Sequence, residues 1–83
     1  MLYETLNING NRIVIETFTN LKIGQTEYAI KAPYNDAFIK YCKRSKLTWN
    51  KDEKAWTLTF EEFHAKKTKI IDKIKDIYNK LID

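Results

Sequence analysis

The last third of the chain follows a different hydrophobic period from the rest, and that change constrains the fold more than any other feature. Phe63, Ile70, Ile74, Ile77 and Leu81 fall at three-and-four spacing, flanked by Ile71, Tyr78 and Ile82, while Lys66, Lys69, Lys73 and Lys80 point elsewhere. Just ahead, Thr59-Phe60-Glu61-Glu62 reads as a capping box, with Thr59 as N-cap, Glu62 three places on, and both acids at the positive end of the helix dipole. A long helix over about residues 60–82 is expected, with an apolar stripe that has to be buried. A coiled-coil seam would want three or more sustained heptads, so covering a sheet is the simpler use. The helix charges pair internally, Glu62 with Lys66 and Asp76 with Lys80 at i, i+4, which reads as a solvated face.

The preceding residues supply that sheet. Leu2, Leu6 and Ile8 alternate with polar neighbours, Asn9-Gly10-Asn11 suits a tight turn that needs positive φ, and Arg12 to Phe18 is β-branched, so residues 1–26 are expected to hold an N-terminal hairpin. A polar loop from Thr19 to Gln25, with Gly24 left-handed, leads to a third strand, Glu27 to Ala32. Pro33 ends it, and Asn35 or Asp36 caps a helix running to about Ser45 that buries Phe38, Tyr41 and Cys42. Leu47 to Asn50 and Ala55 to Thr59 form two short strands joined by the wholly charged tip Lys51-Asp52-Glu53-Lys54. The expected fold is α+β in the order βββαββα: one domain, residues 1–83, with a small antiparallel sheet covered by two helices.

Chemistry is scarce in this inventory. One Cys and one His do not make a nucleophile–base pair by their presence alone; Cys42 falls on the buried side of its helix and His64 in the first turns of the long one. Two glycines cannot write a Walker loop or a dinucleotide fingerprint, and the adjacent acids Asp52-Glu53 and Glu61-Glu62 splay apart on any regular backbone. The expectation is a protein that is not an enzyme, with no metal and no cofactor. A single Cys leaves no internal disulfide, which favours a reducing, cytoplasmic setting. No 18-residue apolar run and no signal-like start in MLYETLNING point to a chain that meets no membrane.

Binding is what remains. The net charge of +4 is unevenly spread: residues 31–54 hold seven bases and three acids, and eight of the eleven aromatics fall between Tyr28 and Phe63. Cations displace counterions from phosphates and exposed rings stack on bases, so a basic, aromatic surface suits nucleic acid. Lys31, Lys40, Lys43, Arg44, Lys46, Lys51 and Lys54 are the candidate phosphate contacts, and Tyr34 and Trp49 the candidate stacking rings, with Asn50 beside them. The same seven cations would form one patch if the hairpin tip folds next to the helix. Trp49 and Trp56 serve equally well as core side chains.

The stretch Glu27 to His64, EYAIKAPYNDAFIKYCKRSKLTWNKDEKAWTLTFEEFH, resembles the HARP domain, the small module found ahead of the motor in HepA-related annealing helicases. The likeness lies in a strand running into Pro33-Tyr34, a helix with Phe38, Ile39 and a Lys-rich end, Trp49-Asn50 opening a turn, and Lys54-Ala55-Trp56 closing it before an acidic helix start with Phe63. The resemblance implies a DNA-binding module that prefers single-stranded or junction character. It makes Lys54 and Trp49-Asn50 the frame of the hairpin, sets Trp56 beneath, and turns Lys40, Lys43 and Arg44 toward phosphates. The family's motor is absent from this chain, and the strands of residues 2–18 and the long last helix are additions. Small Lys-, Ile- and Asn-rich free domains also resemble products of phages and other mobile elements. The expectation is therefore a DNA-binding domain, monomer or dimer. Its rival is a mobile-element protein that docks on a host nuclease or replication protein.

Overall fold

A computed structural model describes residues 1–80. In chain order the elements are β1 (Leu2–Ile8), β2 (Asn11–Asn20), β3 (Gln25–Lys31), α1 (Asp36–Arg44), β4 (Thr48–Asn50), β5 (Ala55–Thr59) and α2 (Phe60–Asn79). The strands make one antiparallel sheet in the order β1-β2-β3-β5-β4. The fold is α+β in the expected element order, and its C-terminal helix is long. Leu81 and Ile82, assigned to that helix from the sequence, lie outside the described residues.

Strand alternation sorts the sheet into two faces. Register sets Tyr28 opposite Leu58 and Ile30 opposite Trp56, so these share a face with the β2 residues Ile13 and Ile15. That face meets the stripe of α2, where Phe63, Ile70, Ile74, Ile77 and Tyr78 are buried, and the inner side of α1, where Phe38 and Cys42 are buried. Both helices therefore lie on one side. Truncating a fully buried ring such as Phe63 would cost about 3–5 kcal/mol. The other face, with Val14, Glu16, Phe18, Glu27, Ala29 and Lys31, stands outside this core cluster.

The second hairpin is longer than its composition suggests. The expectation of a loop from Thr19 to Gln25 gives way to paired strand: Phe18, Thr19 and Asn20 lie opposite Glu27, Thr26 and Gln25. The polar composition of this segment does not make it a loop, because ladder pairing satisfies its backbone while Thr19, Gln25 and Thr26 stay exposed and Asn20 donates to the buried Glu27. Only four residues turn, with Gly24 at φ 65° and its N–H donating to Asn20 O over 2.7 Å.

Both helix starts follow from single side chains. Asn35, extended at φ −160°, accepts from Phe38 N over 3.0 Å and is the N-cap of α1. Thr59 and Glu62 form the full capping box at α2. The end of α1 is less conventional. After the cap residue Ser45, Lys46 N donates to Lys43 O and Leu47 N to Cys42 O, with Lys46 left-handed at φ 63°. This is a Schellman ending with lysine where glycine is the usual occupant, and Leu47 is buried in the same cluster as Cys42.

Candidate functional site

α1 is too short and too far to one side to cover the last two strands. Trp49 lies directly opposite Trp56, so both rings point to the helix side of the sheet, yet no helix lies over them. What remains is a groove of about 510 Å3, floored by Ile30, Phe38 and Trp56 and bordered by Pro33, Tyr34, Ile39, Lys43, Trp49 and Lys54. Tyr34 is 82% exposed and Trp49 48%, and Trp49 meets Trp56 edge to face at 5.4 Å. Trp56 is half-buried against the core, so the two tryptophans divide the roles the sequence left open.

Tyr34 is held at the groove mouth. Its hydroxyl donates to Asp36 Oδ1 over 2.7 Å, and that bond with the adjacent carboxylate raises the phenol pKa above its ordinary value. Behind it, Tyr78 donates to Pro33 O over 2.6 Å, which pins the strand-to-helix passage to α2. Burial pushes the Tyr78 phenol up to about 12. On the far wall, Lys54 sits at φ 52°, left-handed without being glycine. Such positions cost about 1–2 kcal/mol in backbone strain for most side chains and tend to mark working parts of a surface.

The seven cations proposed from the sequence do not make one patch. Lys43 and Lys54 line the aromatic groove with Tyr34 and Trp49. Lys40 and Arg44, one turn apart on the same face of α1, border a second depression shared with α2. Lys46 borders the space between the α1 end and α2, and also a broad cleft at the edge of the open sheet face that takes in Asn50 and Lys51. Lys31 is on that open face, where Nζ pairs with Glu16 and stands 3.9 Å from Glu53. The Glu16 bond raises its pKa, and the two acids take it out of any cationic surface. Alternation decides this: Lys31 is one residue from Ile30, hence on the opposite face. Asn50 is spent on its own turn, where Oδ1 accepts from Asp52 N and Glu53 N at 2.9 Å each. Among the described residues, Lys40, Lys43, Arg44, Lys46, Lys51 and Lys54 form no ion pair.

The reactive side chains are apart from this groove. Cys42 is fully buried in the core and burial pushes its thiol up to about 12, which leaves little nucleophilic thiolate. His64 shares a 2.8 Å hydrogen bond with Tyr28 inside a cluster of rings that includes Tyr3, Phe60 and Phe63. No helix among the described residues is long and apolar enough to cross a membrane. No family model, curated protein or solved structure matches the chain.

Proposed function

We propose that this chain is a non-enzymatic DNA-binding domain that takes single-stranded or junction DNA into the groove between α1 and the β4–β5 hairpin. One observation carries the reading: an apolar groove with two exposed rings, Tyr34 and Trp49, and at its border two lysines, Lys43 and Lys54, that form no ion pair among the described residues. Unstacked bases are flat and apolar on their faces and carry a phosphate at every step, so this arrangement matches both halves of a nucleotide. A uniform duplex hides its base faces and suits the groove less well. The HARP-like resemblance of residues 27–64 points the same way. A reducing, cytoplasmic setting suits the single buried thiol.

Both tryptophans belong to this groove and the chain has no others, so intrinsic fluorescence reports on it directly. Titration with single-stranded oligonucleotides should quench that fluorescence. With Lys43 and Lys54 on phosphates, affinity for a strand held in the groove should fall with salt at a log-log slope of about −1.4. Replacing both Lys43 and Arg44 by Ala should weaken all sequences alike, because phosphate contacts do not read bases. Tyr34→Ala should cost about 1–2 kcal/mol of binding while leaving the unfolding midpoint in place. Absence of quenching at low salt would sink the proposal.

The open sheet face favours a second reading, a mobile-element protein that docks on a host nuclease or replication protein. Its cleft of about 800 Å3 mixes Phe18 and Leu21 with the acids Glu27, Asp52, Glu53 and Glu62 and the bases Lys22, Lys46 and Lys51, a mixed surface with little net pull on phosphates. A protein partner retained after nuclease treatment and high salt would favour this reading over the first.

A further inference from the structure

Of the two internal pairs that the sequence presents on α2, Asp76 with Lys80 forms, and Glu62 with Lys66 does not among the described residues. Lys66, Lys69, Lys73 and Lys80 lie at i, i+3, i+7 and i+14, which places them on one stripe of the helix, and that stripe faces α1. Glu62, the expected partner of Lys66, is occupied elsewhere: Oε1 accepts from Thr59 N at 3.3 Å and from Thr59 Oγ1 at 3.0 Å. Asp76 alone among the described acids reaches the stripe, at 3.2 Å from Lys80 and 4.0 Å from Lys73. Lys66 and Lys69 have no ion pair among the described residues.

Between this stripe and α1 runs a furrow. Its deeper part, of about 340 Å3, has Tyr41, Leu47, Leu58 and Ile70 for a floor and Lys46, Lys66, Lys69 and Lys73 on its sides. It continues past Lys73 into a depression bordered by Lys40, Arg44, Asp76 and Lys80. Seven cations thus line a channel that holds two carboxylates, Glu62 and Asp76. From Lys66 to Lys80 the helix rises about 21 Å, long enough to accompany several nucleotides of a strand. The last turn of α1 and its cap border both this furrow and the aromatic groove, since Lys43 lines the groove while Arg44 and Lys46 line the furrow.

Resting on the DNA-binding reading, we propose that the α1–α2 furrow is a second, separate track for a phosphodiester backbone. A strand whose bases stack at Tyr34 and Trp49 runs over the α1 end and lays its continuing phosphates along Lys46, Lys66, Lys69 and Lys73. The groove holds bases and the furrow holds backbone. Short oligonucleotides fill the first alone, and longer ones engage both.

The test compares K66Q/K69Q with the wild type, using thymidine oligonucleotides of about four and about sixteen residues, the limits of ordinary single-strand site sizes. For the sixteen-mer the salt slope should become shallower by about 1.4, two contacts at 0.7 each, and affinity should fall at least tenfold at low salt. The four-mer should bind both proteins equally, and the saturating tryptophan quench should be unchanged. An unchanged slope with the sixteen-mer, in a variant whose circular dichroism and unfolding midpoint match the wild type, overturns the second track while the groove reading stands. Competition by polyglutamate as effective as by the sixteen-mer also overturns it, since the furrow would then take any polyanion. A wild type that quenches with neither oligonucleotide removes both proposals at once.

Discussion

The β1–β2 and β4–β5 turns both begin with asparagine and contain a left-handed residue, yet they are used in opposite ways. In the β1–β2 turn, Asn9 at φ 51° sends its Nδ2 out to Tyr78 O at 3.1 Å and Asn79 O at 3.2 Å. There it satisfies carbonyls at the end of α2, whose last turn contains no basic residue. In the β4–β5 turn, Asn50 folds its side chain inward, onto the N–H groups of Asp52 and Glu53. Nothing from that turn is tied to a helix end, and its lysines stay in solvent. A turn beside an unsatisfied helix terminus is drawn into the fold, whereas one at a free sheet edge is available for a ligand.

The tied end of the molecule buries groups that cannot charge without cost, and pH should expose the difference first. Cys42 and Tyr78 both have folded pKa values raised by burial, to about 12. A raised folded pKa means that the unfolded chain loses its proton first, so this stability is complete below about pH 8.5 and drains away as pH climbs toward 12. The loss should be on the order of 3 kcal/mol after solvent screening is discounted, read as a falling urea midpoint. In Cys42→Ala the decline should start nearer pH 10, where tyrosines begin to ionise. A midpoint that holds flat to pH 11 would mean that the core opens easily enough to solvate these groups.

The turns themselves supply a smaller contrast. Asn9→Ala removes the bonds onto the α2 carbonyls and leaves alanine in a left-handed position, at a cost of about 2 kcal/mol. Asp52→Ala, at the untied tip, should stay within about 0.5 kcal/mol. Chemical denaturation of the two variants side by side would show whether the turns differ as described; equal costs would erase the distinction.

How much of this was legible in the sequence depends on the range of the interaction concerned. The capping box at Thr59, the Asn35 cap and the α2 stripe are read from residues three or four apart, and the structure has them as expected. The added length of β2 and β3 was hidden because paired polar strand and polar loop share a composition. Lys31 was grouped with Lys43 because sequence proximity to a basic run says nothing about which sheet face a residue takes; its pairing with Glu16 needs a neighbouring strand to be in register. The i, i+4 spacing on α2 holds for Asp76 and Lys80, at 3.2 Å, and not for Glu62 and Lys66. The capping box draws the Glu62 carboxylate back toward Thr59, and Lys66 forms no ion pair among the described residues. No local signal foretold the Schellman ending at Lys46, since glycine, its usual mark, is missing there.

Lys54 brings fold and ligand into conflict at one position, and the effect expected there is the smallest and the most specific. Its left-handed φ of 52° costs about 1–2 kcal/mol, of which glycine would recover all but the 0.5–1 kcal/mol it loses in unfolded-state entropy. Lys54→Gly should therefore raise stability by roughly 0.5–1 kcal/mol, whatever the turn is for. If the turn serves only the fold, nothing else changes. If Lys54 borders a nucleotide site, the same substitution makes the salt slope for single-stranded DNA shallower by about 0.7 and weakens binding at low salt. Stability and affinity would then move in opposite directions from one substitution, a result that strain relief alone cannot produce and that the tied turn at Asn9 cannot imitate.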